Sequence, residues 1–172
     1  MSSVASQNEQ SNKFRIEKIE EIRHNRTRQH YKIKEKTTME NCIFCKIANG
    51  EIPAATLYED EDFRVILDLG PASKGHSLIL PKKHAANIYE LPDETAGKAM
   101  ILAKKMAGKL SDALNCDGFN IVQNNGEIAG QTVFHFHMHL IPRYKGDGVG
   151  LTWTPGELND EVRDEILKKV RD

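Results

Sequence analysis

The sequence predicts an α+β domain whose sheet is mostly antiparallel, and three observations carry that prediction. Residues 131–142 alternate apolar and polar side chains, the period of a strand. Residues 93–114 repeat Ala96, Ala99, Leu102, Ala103, Met106, Leu110 and Ala113 at spacings of three and four, the period of a helix. Residues 56–59 and 62–68 read as a hairpin about Asp60-Glu61. In chain order the elements run helix, hairpin, strand, helix, strand, strand, helix, which separates this pattern from a strictly alternating parallel fold.

Residues 1–12 are polar, rich in Ser, Asn and Gln, and predict a disordered start. Residues 13–36 predict a charged helix with a weak stripe of Phe14, Ile16, Ile19 and Ile22. Asn41 is placed to cap a short helix over 42–48 that Gly50 stops. In the hairpin, Phe63, Val65 and Leu67 alternate with Arg64, Ile66 and Asp68. Gly70-Pro71 and Lys74-Gly75 mark turns, and 77–80 is a short buried strand ended by Pro81. Asp93 is placed to cap the long helix, and Asn115 and Gly118 to end it. Residues 119–123 form a strand and Asn124-Asn125-Gly126 a turn. The glycine-rich stretch 144–156 predicts a loop holding Trp153, and 159–171 a last helix with Val162, Ile166, Leu167 and Val170. No internal repeat at a fixed period is visible.

Composition bounds the function classes. The 172 residues suit one domain with tails, and 39% hydrophobic with 28% charged is ordinary for a soluble chain. No apolar run is long enough for a membrane span, and the start lacks a signal-peptide core. Three cysteines, two of them as Cys42-x-x-Cys45, make no disulfide framework and point to a reducing cytoplasm. Residues 1–38 carry nine Lys/Arg against five Glu, and the remainder fifteen basic against twenty acidic residues. A basic leader of this kind reads as a solvated tail rather than a nucleic-acid arm.

Three of the seven histidines, His135, His137 and His139, occupy alternate positions between Phe134, Phe136, Met138 and Leu140. On a strand the imidazoles share one face and the apolar groups the other. Three imidazolium ions side by side repel, so at least one ring is neutral or ligated near pH 7. That leaves metal binding or phosphate chemistry, because imidazole serves as ligand, nucleophile and proton carrier. The middle residue, His137, has a neighbour on either side and is the expected nucleophile.

Gly130-Gln131-Thr132-Val133-Phe134-His135-Phe136-His137-Met138-His139-Leu140-Ile141 resembles the signature of the histidine-triad (HIT) superfamily of nucleotide hydrolases and transferases. Cys42-Ile43-Phe44-Cys45-Lys46-Ile47, Gly50-Glu51-Ile52-Pro53-Ala54, Tyr58-Glu59-Asp60, Lys74-Gly75-His76 and Leu80-Pro81-Lys82-Lys83-His84 extend the likeness to the bacterial-type Hint branch, over about residues 40–150. The resemblance implies the HIT fold: a five-stranded, mostly antiparallel sheet with one long central helix and short flanking helices. It divides the chain into an appendage at 1–38, a HIT domain at 39–150, and a C-terminal loop and helix, 151–172, packing on the domain. Met39 stands where such a domain is expected to begin, so 1–38 reads as an appendage or a mis-assigned translation start. Relatives in this branch are two-fold dimers joined through the central helix and a neighbouring strand.

The resemblance also implies roles. His137 is the nucleophile and His139 a donor to phosphate oxygens. Gln131 and Thr132 reach the phosphate or leaving group, Thr132 standing where many members have Ser. His76 matches a further histidine near the site. Asn124 lies near the phosphate, Asp68 accepts from the ribose hydroxyls, and Phe44 and Ile43 line the base pocket. Cys42, Cys45, His84 and His135 match zinc-ligand positions, which implies one structural zinc per chain and no organic cofactor. The implied activity is hydrolysis of purine nucleoside 5′-phosphoramidates or acyl-nucleotides through a nucleotidyl-histidine. Dinucleoside polyphosphate hydrolysis, a nucleotide-binding scaffold with incidental hydrolysis, and a catalytic metal held by the three histidines are the competing readings.

Overall fold

The structure, a computed structural model, describes residues 41–171, so the expectations for 1–38 lie outside the described residues. Helix α1 (Ile43–Ala48) leads into the hairpin β1 (Thr56–Glu59) and β2 (Phe63–Leu67). Strand β3 (Ser77–Pro81), helix α2 (Asp93–Leu114), strand β4 (Gly118–Val122), strand β5 (Met138–Arg143) and helix α3 (Asp160–Arg171) follow. The five strands form one sheet in the order β1-β2-β3-β5-β4, every neighbouring pair antiparallel.

The sheet is covered on both faces, and the alternation of side chains decides which residue serves which face. Phe63, Val65, Ile79, Met138 and Leu140 point to α2, meeting Ala99, Leu102, Ala103, Met106 and Leu110 in the larger core. Ile66, Leu78 and Leu80 point the other way, to Ala48, Phe44 and Ile47 of α1. The small residues of α2 let it lie close on the sheet, so truncating Leu102 would cost about 2–5 kcal/mol. Strand β3 is buried along its whole length, as a central strand between two packed layers must be. His139 pairs with Leu78 across β5 and β3, so its ring belongs to the α1 face.

Helix α2 has the bounds its periodicity predicts, with Asn115 in the left-handed region at its end (φ 49°). Its start differs. Pro92 is the cap residue and Asp93 lies in the first turn, where a carboxylate favours the helix dipole. Asn41 likewise does not cap α1; Cys42 holds that position with no side-chain cap. Ala113 is exposed and Leu114 packs against the core in its place. Leu67, the last residue of β2, is also exposed.

Two further differences bear on function. The strand expected over 131–142 begins only at Met138, and residues 131–137 form irregular backbone. Every residue of α3 is exposed, so this helix does not pack on the domain within the single chain. Arg143 holds Asp147 and the Val149 carbonyl to the domain, whereas the side-chain hydrogen bonds of 159–169 join residues of that segment to one another, and both sheet faces are already covered by α1 and α2.

Candidate active site and metal corner

The histidines project from β5 and the irregular segment before it, on the face that α1 covers. His135 is fully buried, His76 and His137 are 5% exposed, and His139 is partly buried. The alternation survives the loss of regular strand: Phe136, Met138 and Leu140 face the core, while Phe134 stays 48% exposed. Burial lowers the proton affinity of all three triad rings, His139 to about 4, with neighbouring imidazoles adding to the effect there.

Backbone groups fix which nitrogen of each ring carries its proton. The His137 Nδ1–H donates to the carbonyl of His135 (2.7 Å), so its Nε2 keeps a lone pair. The Ala72 N–H donates to His76 Nδ1 (3.0 Å), which makes His76 Nε2 the protonated nitrogen. That Nε2–H faces His139 Nδ1 at 3.0 Å, so the His139 proton sits on Nε2. One amide therefore sets two tautomers in series and leaves His139 with an outward N–H. Asp68 Oδ2 lies 3.6 Å from His76 Nε2, and its Oδ1 accepts from the Gly70 N–H. Gly75 makes this placement possible: at φ +85° a Cβ would stand 2.3 Å from Leu114 Cδ1.

A second cluster adjoins the first. Cys42, Cys45, His84 and His135 bring their ligand atoms within 4.8 Å of one another. His135 Nδ1 lies 3.5 Å from Cys42 Sγ and 3.4 Å from Cys45 Sγ, and His84 Nδ1 lies 3.3 Å from Cys45 Sγ. Tetrahedral coordination by thiolate and imidazole, with bonds of about 2.0–2.3 Å, separates neighbouring ligand atoms by about 3.3–3.8 Å. The His135 Nε2–H donates to the Pro81 carbonyl (2.9 Å), which turns the Nδ1 lone pair toward the sulfurs. Burial, and then the adjacent Cys42, push the Cys45 thiol up to about 12. A bound divalent cation reverses that preference. The donor set fits a tetrahedral metal ion.

Phe44, between the two cysteines on α1, sets its ring edge-to-face with His137 (5.1 Å between centroids) and His135 (6.0 Å). Ile43 is 52% exposed and lines a cavity with Cys42, His84, Thr132, Val133 and Phe134. Asn124 lies beside Gly130, its Nδ2 3.5 Å from where a Cβ would be. Gln131 departs from expectation. It is 2% exposed, its Nε2 donates to Ala86 and Val133 carbonyls, and its Oε1 accepts from the Gly126 N–H. Both ends of its amide are committed to backbone, so in this structure it latches the loop. Ala72 was missed by sequence reasoning, since a backbone amide leaves no residue-type signal.

Among the described residues, no helix is long and apolar enough to cross a membrane. The family model described as HIT domain matches residues 49–146. The chain is 51% identical over 132 residues to "Protein hit" of Bacillus subtilis, covering 76% of this chain and 90% of that one. It is 39% identical to adenosine 5′-monophosphoramidase hnt1 of Schizosaccharomyces pombe, over 76% of this chain and 99% of the relative. A crystal structure of a zinc-bound histidine triad family protein from Mycobacterium smegmatis superposes with a TM-score of 0.62 at 39% identity, covering 69% and 86% of the two chains. With the site's geometry and these matches in agreement, the chain belongs to the histidine-triad (HIT) family.

Proposed function

We propose that the protein hydrolyses purine nucleoside 5′-phosphoramidates or acyl-nucleotides through a nucleotide carried on His137. The observation that carries this reading is the 2.7 Å bond from His137 Nδ1–H to the His135 carbonyl, which leaves Nε2 uncharged and nucleophilic. Relatives named adenosine 5′-monophosphoramidase, from two yeasts among others, support the same chemistry.

In the first step His137 Nε2 attacks the α-phosphorus. The bond from phosphorus to the leaving nitrogen or acyl oxygen breaks, and its electron pair departs with the leaving group. A departing amine takes a proton from solvent; a carboxylate needs none. The His139 Nε2–H donates to a phosphate oxygen whose charge grows in the transition state. In the second step water attacks phosphorus, gives up its proton to solvent, and the Pα–Nε2 electron pair returns to the ring. His76 acts through His139, by holding its tautomer. Asp68 accepts from the ribose, Asn124 and Thr132 lie on the phosphate and leaving-group side, and Phe44 with Ile43 bounds the base. Gln131 keeps a supporting role as the latch of loop 126–133.

Cys42, Cys45, His84 and His135 would hold one zinc ion per chain, which supplies a structural clamp between α1 and the catalytic segment. A thiolate set of this kind suits the reducing cytoplasm. A second copy of the chain joins the first through α2 and β4. Edge strand β4 with Ile121, and Met100 and Ile101 of α2 at 55% and 71% exposure, support that interface.

Steady-state kinetics test the reading. Adenosine 5′-phosphoramidate is expected to be turned over with a higher kcat/KM than a dinucleoside polyphosphate. Preference for the polyphosphate favours the sister activity, and turnover of neither leaves a nucleotide-binding scaffold.

A further inference from the structure

The proton order of the two outer rings is set by an amide on an exposed loop. Residues 68–76 join β2 to β3, and Leu69, Gly70, Pro71, Ala72 and Lys74 are all exposed, Leu69 at 99%. Yet the Ala72 N–H must meet His76 Nδ1, and His76 Nε2–H must meet His139 Nδ1, each at 3.0 Å. This pair of bonds runs from the loop to β5. Its two ends need a fixed spacing, because a hydrogen bond is lost once stretched beyond about 3.5 Å or sharply bent.

Buried apolar side chains do not hold so exposed a loop; polar ties from β5 do. The Ser73 hydroxyl donates to the Pro142 carbonyl, and the Tyr144 hydroxyl donates to the Lys74 carbonyl at 3.1 Å. Pro142 lies in the same strand as His139, and Tyr144 directly follows it. Among the described residues, no other side-chain hydrogen bond joins 69–75 to a residue beyond 68–76. The backbone completes the frame: His76 N–H donates to the Ser73 carbonyl at 3.1 Å, and Asp68 N–H to the His76 carbonyl at 3.0 Å. The strand that carries His139 thereby also holds the loop whose amide faces His76.

We infer that Ser73 and Tyr144 are positioning residues for the His76–His139 relay, their hydroxyls holding the Ala72 amide where it keeps the His76 proton on Nε2. When the loop drifts, the His76 Nδ1 lone pair turns to water and the ring takes both tautomers. With the proton on His76 Nδ1, its bare Nε2 draws the His139 proton to Nδ1, and His139 loses its outward N–H. The change in tautomer stands apart from the hydrolase reading; its effect on rate rests on that reading.

Full-length, zinc-loaded protein with isotope-labelled histidine reports ring tautomers by nitrogen chemical shift near pH 7. Wild type is expected to show His76 protonated on Nε2 alone. Ser73→Ala is expected to show a mixture, with kcat about three- to tenfold lower and KM and zinc content held. Ser73→Thr, which keeps the hydroxyl, is expected to restore the single tautomer and the rate. Tyr144→Phe is expected to move both readouts in the same direction by less, and it serves if Ser73→Ala does not fold. Ring shifts unmoved in the folded variants, or a loss in Ser73→Thr equal to that in Ser73→Ala, overturn the inference. Wild type that turns over no adenosine 5′-phosphoramidate overturns the hydrolase reading instead, and the ring shifts then decide the role of the two hydroxyls by themselves.

Discussion

Two clusters of similar make-up lie side by side and are wired for opposite tasks. Cys42, Cys45, His84 and His135 form one; Asp68, His76 and His139 form the other, and each brings its potential ligand atoms within 4.8 Å. In the first, a carbonyl takes the His135 Nε2–H and turns a lone pair inward. In the second, an amide N–H occupies the His76 lone pair and turns a proton inward, onto His139. A metal at His76 Nε2 would require that nitrogen to lose its proton while the other still accepts from Ala72, which describes an imidazolate. Residue type and distance alone make both look like metal sites. The backbone partner of each distal nitrogen separates a metal corner from a hydrogen-bond relay.

Breaking the metal corner should have the largest effect on stability. Cys42→Ser and Cys45→Ser are expected to lose bound zinc and about 3 kcal/mol or more of stability. For a chain of this size that is a Tm drop of about 10 °C, read by thermal melts alongside metal analysis. Unchanged melts in metal-free protein would remove the distinction between the clusters.

The relay predicts a different signature. His76→Ala should lower kcat about ten- to a hundredfold while zinc content stays whole. His76→Gln should recover part of the loss, because its amide can accept from Ala72 and donate to His139. If Ala and Gln variants are equally impaired, the relay does not act by setting a tautomer.

The smallest effect concerns pH. His139 is held at about 4 in the folded protein, against an ordinary 6.5. Its folded pKa is depressed, so the unfolded chain binds the proton first as pH falls. Its contribution is therefore whole above pH 6.5 and is lost between 6.5 and about 4. Melts of His139→Asn should decline less steeply than wild type across that window, and a parallel decline would contradict the depressed value.

The contrast between the clusters also explains what was legible beforehand. Helix α2 could be read to its ends because Ala99 to Leu110 repeat over many turns and burial follows the same period. The triad stood out because three histidines alternate within five residues, whereas the four candidate ligands, scattered from Cys42 to His135, were named through the family resemblance and are brought within 4.8 Å by the fold. Gln131 could not be read: only the fold brings Ala86 and Gly126 to its amide, and a polar side chain beside a catalytic segment looks like a substrate contact. The tautomers were hidden because they depend on Ala72 and Pro81, whose side chains carry no such chemistry. The exposed α3 stripe, Val162 to Val170, was misplaced because amphipathicity states that a face needs covering and not what covers it.

Acid-quenched turnover followed by peptide mass mapping tests the central claim most directly. Wild-type protein mixed with adenosine 5′-phosphoramidate and quenched within a turnover should carry a nucleotidyl group on His137, and His137→Gly should fold, bind zinc and carry none. An adduct on His139, or full turnover by the glycine variant, would contradict the account.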